Sequence, residues 1–206
     1  MVLTKYQVDV IGEILSLGIS RASLALVELV HDNVTIVMPS IAIMPVHDVE
    51  GWLRSKSNLA TSKTNSPYLT PTAILRFHGP LCGVLALVFP IESAICLASA
   101  LRVEPTAAGL REVVEETGNL LLNAVAGCLA NCLDYELTFD TPHYTDAAAV
   151  IADFGCDQRD RFDQILIAHT SFTLTESTIE GQILFHLDRQ ATQALTAAIE
   201  AMAGKC

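Results

Sequence analysis

Apolar residues recur at helical spacing from about Tyr6 to Val30 in "YQVDVIGEILSLGISRASLALVELV", and the pattern predicts a long helix. Thr4 and Gln7 stand before it at the T-x-x-Q spacing of a capping box. "HDN" ends the helix, and "NVTIVMPSIAIMPV" reads as two short strands bent around Pro39, which has no N–H for a central ladder. The polar run "SKSNLATSKTNSPYLTP", preceded by Arg54 and carrying Lys56 and Lys63, reads as a loop or linker whose basic residues are solvated. "TAILRFHG" and "CGVLALVFP" are strand-like runs joined by the hairpin "HGPLCG", and "IESAICLASAL" is a shorter helix. A second long helix is predicted from about Ala107 to Leu133, and "YELTFDTPHYTDAAAVI" again reads as strands around a proline. Two strand runs, "QILIAHTSFTL" and "GQILFHL", and a helix from about Arg189 to Ala203 complete the chain.

The order helix, strands, hairpin, helix is thus stated twice, which points to an internal repeat of units at about 1–103 and 104–206. Sliding the second half back by 103 residues pairs Asp9 with Glu112, Glu13 with Glu116, Ser16 with Asn119, Ser20 with Asn123 and Pro39 with Pro142, without a gap. Few other positions are identical, so the repeat rests on the polar stripe, the helix and the matched proline.

Residues at i, i+4, i+7 and i+11 share one helix face, so Asp9, Glu13, Ser16 and Ser20 form one edge and Glu112, Glu116, Asn119 and Asn123 the equivalent one. Both stripes are expected to face outward, with Ile11, Ile14 and Leu15, and Val113, Val114 and Leu121, turned toward the sheet. On a generic amphipathic helix such a stripe is a solvated face and nothing more.

Composition narrows the classes. A hydrophobic share of 51% over 206 residues suffices for a compact core. No run approaches about 18 uncharged apolar residues and no cleavage-like site follows the N-terminus, so neither a membrane span nor a signal peptide is indicated, and a cytoplasmic protein is expected. A net charge of −11 disfavours nucleic acid and anionic lipid as partners and favours a basic protein surface. The six cysteines read as reduced thiols. Cys128 and Cys132, four apart on a helix, lack the further ligands of a tetrahedral metal site, so no metal is expected.

"EILSLGISRAS" and "EETGNLLLNAVAG", each followed by a proline at the same distance, resemble the acidic-x-x-x-E-x-x-N…P signature of the CheC, CheX and FliY family of chemotaxis phosphatases. The resemblance extends over nearly the whole chain and is strongest to the two-site CheC type. It implies an α+β fold in which a pseudo-twofold duplicated unit forms one domain. A continuous antiparallel sheet would carry the two long signature-bearing helices on one face, with a shorter helix after each hairpin. It further implies dephosphorylation of the phospho-aspartate of a CheY-like receiver domain. Glu116 and Asn119 become the catalytic pair, with Glu112 at the leading acidic position and Pro142 as the following proline. The first half supplies Asp9, Glu13 and Pro39, but Ser16 stands where the family has Asn, and Leu15 replaces the small residue that Gly118 keeps before Asn119.

The chemistry suits those residue types. A receiver's acyl phosphate already hydrolyses in its own pocket with its bound Mg²⁺, so a partner need add little beyond water positioning and in-line geometry. An Asn carboxamide offers an acceptor and two donors on one plane and does not titrate. Glu116, a turn earlier, is placed to pair with a lysine of the receiver. Ser16 is shorter with a single donor, so the first site is expected to be degenerate. The alternatives are a noncatalytic adaptor for receivers or a CheD-like protein, a flagellar-switch component similar to FliY, which would need a switch-binding domain beyond Cys206, and last a hydrolase using Glu112 and Glu116 as acid and base on a wet helix surface.

Overall fold

A computed structural model describes residues 3–30, 33–45, 47–49, 51–52, 70–146, 149–150, 164–173, 178–187 and 189–203. The expected linker with Arg54, Lys56 and Lys63 lies outside the described residues except at its end, where Pro71 already belongs to a strand, and Cys156 and Cys206 also lie outside them.

The first helix, α1 (Lys5–Val30), begins as the capping box requires: the Thr4 N–H donates to Gln7 Oε1 at 2.9 Å and the Gln7 N–H to Thr4 Oγ1 at 3.3 Å. By length and composition alone α1 is apolar enough to cross a membrane. Its Ile11, Ile14, Leu15, Ile19, Ala22 and Leu26 are instead buried in the core. Strand β1 (Thr35–Pro45) follows, then the hairpin of β2 (Pro71–His78) and β3 (Gly83–Val88), and helix α2 (Ile91–Ala100). The second long helix, α3 (Ala107–Leu133), starts at Thr106, whose Oγ1 accepts the Gly109 N–H at 3.1 Å, and ends at Asp134 in the left-handed region, where the short polar side chain tolerates φ 55°. Thr106→Ala is expected to lower stability by about 1 kcal/mol, measurable by chemical denaturation. After α3 come β4 (Thr138–Phe139), β5 (His143–Asp146), β6 (Gln164–Thr173), β7 (Thr178–Leu187) and helix α4 (Arg189–Ala203).

All strand pairs are antiparallel, in one seven-stranded sheet ordered β1-β6-β7-β3-β2-β4, with β5 also on β2. Exchanging the two halves of the chain leaves this order unchanged. The first strand of each half is an edge and pairs with the second strand of the other half.

Side chains alternate across the sheet. Ala73, Leu75, Phe77, Leu85, Leu87, Leu166, Ala168, Ile183 and Phe185 form the main core with α1, α2, α3 and α4, and Phe77 and Phe185 stack at 6.1 Å between ring centroids. Ile74, Val84, Ala86, Val88, Ile165, Ile167 and Leu184 face the opposite side, where Val49, Trp52 and Val150 meet them.

Each edge strand has one residue too many at its proline. Three steps from Val37 to Ser40 face two from Ser171 to His169, so the expected pair of strands around Pro39 is one strand with a bulge. Four steps from Phe139 to His143 face three from Phe77 to Ile74, and here the excess parts β4 from β5 at Pro142. A residue without an N–H suits an edge, and the extra residue turns the backbone out of the ladder.

Candidate functional site

Helix α3 lies close on the sheet because residue 118 is glycine: a Cβ there would collide with the Cβ of Ala73 on β2. Fixing Gly118 against the sheet leaves the edge of α3 that carries Glu112, Glu116 and Asn119 turned outward. Thr117 is buried, while Glu112, Glu116 and Asn119 are exposed. Opposite them, the bulge of the edge strand presents Thr141 and Pro142. Glu112, Glu116, Asn119 and Pro142, the four residues the sequence signature singles out in the second half, line one open groove of about 370 Å³ with Arg111 and Glu115.

Glu115 and Arg111 carry no signal in that signature, yet they join the groove's walls. The Tyr144 backbone N–H donates to Glu115 Oε1 at 2.9 Å, tying β5 to α3 two residues beyond Pro142. Arg111 lies over the Tyr144 ring at 5.3 Å from its centroid, a cation–π contact, with its Nε 3.9 Å from Glu115 Oε1. Burial pushes the Tyr144 phenol above its ordinary pKa; the Arg111 charge acts against that shift and Asp146 with it. The i, i+4 spacing of Arg111 and Glu115 was readable as a helix pair, but the strand partner 29 residues away was not. With Glu112, Glu115 and Glu116 against one arginine, the groove carries net negative charge and suits a cationic side chain of a partner.

The Asn119 carboxamide is held from the C-terminal side. Asn123 Nδ2 donates to the Asn119 carbonyl oxygen at 2.8 Å and to Asn119 Oδ1 at 2.7 Å.

On α1 the equivalent stripe is not intact. Asp9, Glu13 and Ser20 are exposed, but Ser16, expected to face outward, is buried at 8% exposure. Its Oγ donates to the Gly12 carbonyl at 2.7 Å, a back-bond within the helix that engages its only donor. The reason lies in the glycines on either side. A Cβ on Gly12 would stand 2.5 Å from Ile41 Cδ1, and one on Gly18 2.5 Å from Val125 Cα. α1 is therefore drawn close to both β1 and α3, and a side chain as short as serine does not clear that level. Pro39 lies in the bulge of β1.

Among the described residues no group of three or more His, Cys, Asp or Glu is placed to hold a metal ion, and Cys128 is buried with Cys132 partly so.

No family model matches the sequence and no curated protein matches it. The fold, however, is found among solved structures. FliY of Thermotoga maritima superposes with a TM-score of 0.71 at 13% identity over 98% of this chain and 99% of that one. The FliM middle domain of H. pylori gives 0.66 at 11% identity over 94% and 99%. CheX of Desulfovibrio desulfuricans gives 0.51 at 13% over 85% and 99%. The chain has the fold of the CheC, CheX and FliY family.

Proposed function

We propose that this protein accelerates dephosphorylation of a CheY-like receiver domain, with the α3 groove as its active site. One observation carries the reading: the glutamate, the asparagine and the proline of the signature, with the leading acid, line a single open groove and the asparagine is exposed. Asn119 enters the receiver's phosphorylated pocket and orients a water in line with the acyl phosphate. The water oxygen bonds to phosphorus while the bond from phosphorus to the aspartyl oxygen breaks, giving inorganic phosphate and a free aspartate. The Mg²⁺ in that pocket belongs to the receiver and neutralises charge on the phosphoryl oxygens. Glu116, with Glu112 beside it, pairs with a lysine of the receiver and sets the docking register, contributing orientation and on-rate more than affinity. The setting is the cytoplasm, where receivers are phosphorylated.

The second reading is docking without turnover, on a receiver or a CheD-like protein. The engaged hydroxyl of Ser16 favours it for the α1 face, where Asp9 and Glu13 stay exposed beside it. Following the lifetime of a ³²P-labelled receiver separates the two. A phosphatase shortens it at one molecule per hundred receivers and continues through many turnovers; an adaptor alters it only near equimolar ratio, and that result would refute catalysis.

A further inference from the structure

We infer that Asn123 is a positioning residue for Asn119, fixing which edge of its carboxamide meets the partner. The inference rests on the phosphatase reading for its consequence, but the contact itself is independent of it. A backbone carbonyl only accepts, so the Asn123 atom 2.8 Å from the Asn119 carbonyl oxygen is the amide nitrogen. That same nitrogen is 2.7 Å from the end of the Asn119 side chain, so the atom it meets there is the oxygen, Oδ1. Both orientations are thereby determined. One lone pair of Oδ1 is engaged toward Asn123, and the second lone pair and both N–H groups are left for the groove. A water held by its hydrogen on that lone pair sits beside N–H donors that reach phosphoryl oxygens.

The two halves of the chain agree with this pairing. At the equivalent positions of α1 stand Ser16 and Ser20, so neither the carboxamide nor its brace is present there, and Ser16 turns to its own helix backbone. The helix itself does not depend on the brace, because α3 is packed along its length through Val113, Val114, Leu121, Leu122, Val125 and Leu129.

The test uses the full chain and a phosphorylated CheY-like receiver with Mg²⁺. Asn123→Ala and Asn123→Asp, neither of which donates to Oδ1, are expected to lower kcat on the order of tenfold with KM unchanged. Asn123→Gln, which keeps the donor, is expected to retain most of the rate. In the protein alone, the Asn119 side-chain amide is expected to show a high ¹⁵N heteronuclear NOE that falls in Asn123→Ala. Wild-type kcat in both the Ala and Asp variants, a change confined to KM, or an unchanged NOE would each overturn the inference. Should Asn119→Ala keep the full stimulated rate, the phosphatase reading fails while the NOE still reports on the brace.

Discussion

Asn119→Ala is expected to reduce the stimulated dephosphorylation of a CheY-like receiver by about two orders of magnitude, and Ser16→Ala to leave it within about twofold. The asymmetry follows from what each side chain has free. Asn119 is exposed at the groove and, beyond its bond from Asn123, keeps two donors and a lone pair for a partner. Ser16 is buried, and its donor is already given to Gly12. On the proposed mechanism, truncating Asn119 takes away the group that orients the nucleophile, and the loss is expected in kcat rather than KM, because Glu116 is left in place for docking. Truncating Ser16 removes a helix back-bond and alters nothing a partner meets. The decay of phosphorylated receiver at fixed substoichiometric protein measures both, with circular dichroism to show that each variant is folded. Equal losses from the two substitutions would refute the ranking of the faces.

The helices were largely legible in the sequence because their signals are local. The capping box at Thr4 and the 3.6-residue periodicity of α1 and α3 set their extents almost to the residue. The strands were legible as strands but their partners were not. β1 pairs with β6, more than a hundred residues on, and nothing in the alternation of a single strand names its neighbour. The site divided in the same way. Glu112, Glu116 and Asn119 follow from spacing on one helix, and Pro142 from its matched distance. Glu115 and Tyr144 meet only because the bulge after Phe139 sets the offset of β5 against α3. The burial of Ser16 was missed because helical periodicity assigns a face but not how near the neighbouring elements come, and that distance was set by Gly12 and Gly18.

The same dependence on close approach makes Gly118→Ala the more damaging change to the fold. An added methyl at 118 meets the Cβ of Ala73, which is attached directly to a strand paired on both sides and has no flexible end to swing aside. Ala73 is paired on both sides, with Leu87 and with Tyr144, so β2 does not retreat. The helix must move instead, and overpacking of this kind costs about 1–3 kcal/mol, which for a domain of this size lowers Tm by roughly 2–4 °C for each kcal/mol. Gly127 is the internal control, nine residues along the same helix, where a Cβ meets nothing within 4 Å. There the gain in helix propensity acts unopposed, so Gly127→Ala is expected to stabilise by about 0.5–1 kcal/mol. Thermal and urea unfolding of the two variants decide the matter, and equal or inverted shifts would show that the approach of α3 to β2 is not the constraint at 118. The displacement also links fold to site. Asn119 is the next residue, so a shift of the helix away from Ala73 carries its carboxamide relative to Pro142, and the bond from the Tyr144 N–H to Glu115, which ties β5 to α3, restrains that shift only as far as it stretches. Gly118→Ala is therefore expected to lose phosphatase rate at temperatures where it remains fully folded, whereas Gly127→Ala keeps it. Leu15, at the position of α1 that matches Gly118, is the natural counterpart of that substitution, on the helix whose Ser16 has already turned inward.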